Sequence, residues 1–134
     1  MSRRTARKNA FYLLFQMEFA NSEEYTEVKE IFFEAQEIEI EAELKSFMMQ
    51  LVDGVCEHKM EIDEIIDSYA KGWKVDRLSK VDLAILRLAV FELRFFPETP
   101  QGVAINEAVE LAKKFSGDDA PSFVNGVLGQ IIKE

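Results

Sequence analysis

The run Val81-Asp-Leu-Ala-Ile-Leu-Arg-Leu-Ala-Val-Phe-Glu-Leu93 constrains this chain more than any other stretch, because it is apolar on most sides of a helical wheel. A surface helix carries one apolar stripe, whereas a helix apolar nearly all round has neighbours on nearly every side. The segment is therefore the expected centre of a helical core. Lys80, Arg87 and Arg94 recur along it every seven residues, a narrow basic stripe that either reaches the surface or has its arginines paired inside. Arginine is rarely buried alone, so a buried carboxylate such as Glu107 or Glu110 is expected to fix Arg87.

The rest of the chain reads the same way. It has no strict apolar–polar alternation, internal repeat, low-complexity tract or flexible linker. Six Gly and three Pro among 134 residues leave few helix breakers. Boundaries are marked by Asn21-Ser22 with Glu24, Gly72, Pro97 with Pro100, and Ser116-Gly117 followed by Pro121. They predict an all-α fold of about seven helices, near residues 4–20, 24–35, 40–57, 59–71, 78–95, 103–115 and 120–132, with ends good to about 2–4 residues. One domain is expected over 1–134, with a break at Gly72-Trp73 between an amino-terminal helical half, about 1–72, and a carboxy-terminal half, about 73–134. The pair Asn125-Gly126 falls inside the last helix, where glycine costs about 1 kcal/mol relative to alanine. A close helix contact at Gly126 and a hydrogen bond from Asn125 are expected to compensate.

The net charge of −9 argues at first against a nucleic-acid partner, because phosphate binding is driven by Lys and Arg displacing counterions. Its distribution argues the other way. Arg3, Arg4, Arg7 and Lys8 are four of the sixteen basic residues and precede the first acid, Glu18, leaving twelve bases against twenty-five acids in the remaining chain. On the first helix Ala6, Ala10, Leu13, Leu14 and Met17 share an apolar face. Arg4, Lys8, Phe11 and Phe15 fall on another strip, with Arg7 at its edge. Cations that pair with phosphates beside rings that stack on bases suit single-stranded RNA. Two readings of the rings stand open here: Phe11 and Phe15 face RNA, or they belong to the core and the cations are solvated.

Other chemistries find little support. The single cysteine, Cys56, forms no internal disulfide, which fits a reducing cytoplasm, and no apolar run approaches the ~20 residues of a membrane span. Residues 1–17 are basic and acid-free but lack the apolar region of a secretory signal; a removable presequence remains an alternative for them. Cys56 and His58 have no second ligand pair at metal spacing, and no nucleophile elbow or glycine-rich phosphate loop is present. Glu57, Glu61, Asp63, Glu64 and Asp67 read as a solvated helical face. Neither an enzyme nor a cofactor is expected.

Several blocks together resemble the NusB antitermination family. They are Arg3-Arg-Thr-Ala-Arg7 before an aromatic-rich helix, Trp73 with Asp82 to Leu93, Val103-Ala-Ile-Asn-Glu-Ala-Val-Glu-Leu-Ala-Lys-Lys-Phe115, and Phe123-Val-Asn-Gly-Val-Leu128. The resemblance spans nearly the whole chain and is weakest from about residue 21 to 72. It implies two packed helical subdomains and a transcription factor that, with the ribosomal protein NusE, binds the boxA segment of nascent RNA in the elongation complex. By motif it assigns RNA contact to Arg3, Arg4, Arg7 and Lys8 of the arm, to Phe15, and to Asp119, Ser122, Phe123 and Asn125 before and within the last helix. Where relatives carry tyrosine, Phe15 keeps the stacking surface and loses a hydroxyl donor. Asp82 is assigned to the NusE contact by family position alone. The competing function is a protein-binding adaptor or homodimer that self-associates through Phe11 and Phe15.

Overall fold

The computed structural model describes residues 2–36, 40–70, 72 and 74–133. Among them the chain forms seven α-helices: α1 (Arg3–Met17), α2 (Tyr25–Glu34), α3 (Ala42–Glu57), α4 (Lys59–Tyr69), α5 (Lys80–Phe95), α6 (Gln101–Phe115) and α7 (Ala120–Ile132). Short 3-10 turns at Ser22–Glu24 and Val75–Arg77 lead into α2 and α5. Trp73, part of the family resemblance, lies outside the described residues.

The helix ends follow local chemistry. The hydroxyls of Ser2 and Ser79 accept from the backbone amides of Thr5 and Asp82, satisfying donors that the first turns of α1 and α5 leave free. Asn21 donates its backbone amide to Glu24 Oε1 at 2.9 Å where the chain turns into α2. Gly72 has φ of 79°, a left-handed conformation that suits glycine at the break before α5. Pro121 occupies the first turn of α7, where its missing N–H costs nothing.

Every residue of α5 from Leu83 to Glu92 is buried. The helix packs against α1, α3, α4, α6 and α7, and one apolar core draws on residues of all seven helices. The close helix contact expected at Gly126 is found elsewhere. Space around Gly126 is open and Asn125 is exposed, whereas a Cβ on Gly54 would overlap the buried Phe91 ring. The small residue that lets α3 approach α5 is thus Gly54.

Ion pairs and ring contacts fix the helix directions. Arg7 meets Glu92 while Glu18 meets Lys80, so α1 runs antiparallel to α5. Ser116 near the end of α6 donates to Asp82 at the start of α5, so α6 is antiparallel to α5 as well. Hence α1 and α6 run parallel, and Arg4 with Glu107 and Tyr12 with Phe115 share the same offset along the two helices.

Candidate nucleic-acid interface

The apolar stripe of α1 docks as its spacing requires: Ala6, Ala10, Leu13, Leu14 and Met17 are all buried. The cationic strip beside it divides. Arg7, which sits nearest the apolar stripe, is only 5% exposed. Its Nε lies 3.0 Å from Glu92 Oε1, a carboxylate 2% exposed that also accepts from Thr99 Oγ1 at 2.9 Å. A second contact reaches Glu107 at 3.8 Å, and the Phe47 ring centroid lies 5.2 Å from the guanidinium. Arg7 therefore has donors occupied inside the fold and is the least accessible of the four cations assigned to the arm. A buried charge is tolerated only when paired and hydrogen-bonded, a condition Glu92 meets.

Arg3, Arg4 and Lys8 are the accessible cations of the arm. Arg3 is exposed with its guanidinium 4.3 Å from the centroid of Phe47 in α3, a cation–π contact. Arg4 directs Nε at both oxygens of Glu107, at 3.0 and 3.2 Å. That hydrogen bond and charge raise its pKa above the usual arginine value, so it stays cationic at any working pH. Arg4, Arg7, Lys8, Lys113 and Lys114 line one cleft between α1 and α6 with Glu107 and Glu110. Glu107 pairs with Arg4, Glu110 with Lys113 at 3.4 Å and Glu92 with Arg7, which leaves Lys8 and Lys114 as the cleft's cations without an acid partner among the described residues.

Rings continue this surface toward the other end of α1. Phe11 is 3% exposed and stacks on Phe115 at 5.3 Å, so of the two phenylalanines it belongs to the core. Phe15 is half-buried, 6.4 Å from Phe11 and 5.2 Å from the exposed Phe19. The offset between the parallel helices brings Phe15 level with the connection between α6 and α7. Asp119 and Phe123 line a second hollow of about 410 Å³ there, together with Arg77 and Asp82. Ser122 and Asn125 are exposed on the opening turns of α7. Asp82 is half-buried and accepts from Ser116, a contact that joins α5 to the end of α6. The assigned residues thus form two groups at opposite ends of α1, bridged by Lys8, Lys113, Lys114 and the rings.

Arg87 is buried as its surroundings in the sequence suggest, but its partners are not Glu107 or Glu110. Nε and Nη2 engage Asp63 of α4 at 2.8 and 2.9 Å, and Nη1 engages Glu18 at 2.6 Å. Burial by itself would raise the Glu18 pKa; the charge and hydrogen bond of Arg87, helped by Lys59 and Lys80, nevertheless hold it below 4.5. Likewise burial would lower the Arg87 pKa, and the bonds and charges of Asp63 and Glu18 raise it. Asp63 is therefore no solvated acid, and neither is Asp67, which accepts from the backbone of Val75 at 2.8 Å. Lys80 pairs with Glu18 at 3.3 Å, while Arg94 is exposed and donates to the backbone carbonyl of Ile131 at 3.5 Å, so the basic stripe meets an acid at one end and a carbonyl at the other.

His58 stacks on Phe95 with centroids 4.1 Å apart. Burial raises the Cys56 thiol pKa, keeping it neutral. Among the described residues no group of three or more His, Cys, Asp or Glu is placed to hold a metal ion, and no helix is long and apolar enough to cross a membrane.

Fold and site together define an all-α protein that displays a cationic and aromatic helix face on an acidic body. Residues 4–133 match the model of the NusB family. The chain is 44% identical over 133 residues to transcription antitermination protein NusB of Clostridium novyi, covering 99% of each, and 46% identical to that of Natranaerobius thermophilus, covering 100% of this chain and 96% of the relative. Among solved structures, NusB of T. maritima superposes with a TM-score of 0.89 at 36% identity, covering 100% of this chain and 92% of that one. The NusB chain of a crystal structure of antitermination factors NusB and NusE in complex with dsRNA superposes with a TM-score of 0.85 at 33% identity, covering 98% and 96%. The chain belongs to the NusB family.

Sequence reasoning passed over Lys113, Lys114 and Phe19. Two lysines in the last turn of a helix have a sufficient local explanation in the helix dipole. Only the docking of α6 beside α1 turns them into part of a shared cleft.

Proposed function

We propose that this protein is an RNA-binding transcription antitermination factor that recognises a boxA-type segment of nascent RNA together with NusE, in the cytoplasm, by binding rather than catalysis. One observation carries the reading: on a chain of net charge −9, Arg4, Lys8, Lys113 and Lys114 gather in the cleft between α1 and α6 beside half-buried rings. Phosphates at Arg4, Lys8, Lys113 and Lys114 would release counterions, and a base at Phe15 would replace exposed ring surface with stacking. Arg7 contributes by holding α1 in register through Glu92, so Arg3, Arg4 and Lys8 are the arm's direct contacts. Asp119, Ser122, Phe123 and Asn125 extend the RNA path past Phe15, and Asp82 positions the α6–α7 connection or meets NusE.

The dsRNA of the related complex and the single strand proposed here make different demands, since A-form grooves offer a protein mainly backbone and 2′-hydroxyls. Self-association through Phe11 and Phe15 is the weaker alternative, because Phe11 is buried within its own chain. The test is binding of a short boxA RNA, its shuffled counterpart and its duplex, each with and without NusE. Preference for the single-stranded boxA RNA in the presence of NusE is expected; equal binding of the shuffled strand would overturn the proposal.

A further inference from the structure

We infer that Phe15 and Phe19 together form a site for one unpaired nucleobase, with Phe19 as its outer wall. The inference rests on the RNA-binding reading and adds a residue to it. Phe19 is 68% exposed. Single exposed apolar residues need no explanation, but this one touches the half-buried ring of Phe15 at 5.2 Å. The two ring planes stand at 78°, so they make a corner in which a base stacked on one ring presents its edge to the other.

Three further features suit a nucleic-acid ligand. The backbone carrying Phe19 is held by hydrogen bonds from its amide to Gln16 O at 3.2 Å and from the Ala20 amide to Met17 O at 3.1 Å, so the ring stands on a formed turn. A fixed aromatic platform loses little conformational freedom on binding. Glu18, the acid between the rings' positions, is drawn inward by Arg87 and Lys80 and is only 16% exposed at its side chain. Its charge is thereby neutralised where a phosphate would pass. Finally, Phe19 follows Glu18, the C-cap of α1, and touches Phe15, so a strand tracking from Lys8 along α1 to Phe15 meets Phe19 next.

The experiment uses the full chain with NusE and boxA RNAs carrying 2-aminopurine at successive positions. Phe19→Ala and Phe19→Leu should each weaken binding by about 5- to 150-fold, the range for loss of one stacked base, and abolish quenching at one position only. Phe19→Trp should retain both. Thermal stability of all three should match the parent, because the ring is exposed. Full affinity and quenching in Phe19→Ala, or full affinity in Phe19→Leu, overturns the inference, as does weakened NusE binding by Phe19→Ala without RNA. A parallel Arg4→Ala/Lys8→Ala variant separates the two levels: if it loses RNA affinity while Phe19→Ala does not, only the Phe19 site fails. If neither variant loses affinity, the RNA-binding reading of α1 fails with it.

Discussion

Arg7 and Lys8 are neighbours on α1 that both line the cleft shared with α6, yet Arg7 is 5% exposed and closed against Glu92, which also accepts from Thr99, whereas Lys8 is half-buried with no acid partner among the described residues. Both residues are part of one basic run in the sequence. Their opposite environments teach that a cluster of charges is not yet a surface, because helix rotation separates neighbours by about 100°. The inward solution is used twice: Arg87, like Arg7, is closed in by acids from other helices. The outward solution leaves cations with partial or no compensation, which is what a polyanion requires.

Arg7→Ala is expected to have the largest effect. It leaves Glu92 buried without its cation and should cost about 3–5 kcal/mol of folding stability, read from the denaturant midpoint. The loss should appear in one cooperative transition, since α5 packs against helices on both sides of the Gly72 break. A cost under about 1 kcal/mol would place Arg7 among the outward cations, and two separate transitions would show halves that fold independently.

Phe15→Ala tests the boundary between the faces. It should remove about 1–3 kcal/mol of RNA binding, as expected for one stacking ring. If the denaturant midpoint falls by that amount while RNA affinity is kept, Phe15 belongs with Phe11 in the core.

The smallest effect is in acid. Glu18 has its folded pKa held below 4.5, so its pairing with Arg87 stabilises the fold fully above the unfolded value and loses that contribution as the pH falls through the lowered one. Glu18→Gln should therefore flatten the acid limb of a stability-versus-pH curve below about pH 4.5, the ordinary carboxylate value. An unaltered acid limb would show that the Arg87 cluster rests on Asp63 alone.

Much of the fold is legible in local pattern. The apolar run of α5, the capping serines, Gly72 and Pro121 each act within a few residues, so spacing alone locates seven helices close to where they lie. The site is less legible, because its decisive contacts join distant positions. Arg7 and Glu92 are 85 residues apart, and Arg87 and Glu18 are 69 apart. No periodicity within one helix reveals which acid another helix brings. The burial of Arg87 could be argued from its own helix, but Asp63 could not be distinguished from its solvated neighbours, nor Gly54 from Gly126 as the site of close approach.

The most direct test of the account is the salt dependence of boxA RNA binding, with NusE present, for the parent chain and for Arg4→Ala/Lys8→Ala. Loss of two phosphate contacts to a single strand should make the slope of log affinity against log salt shallower by about 1.4, with stability unchanged to within about 0.5 kcal/mol. A slope identical to the parent's would contradict the claim that the outward face of α1 holds the RNA backbone.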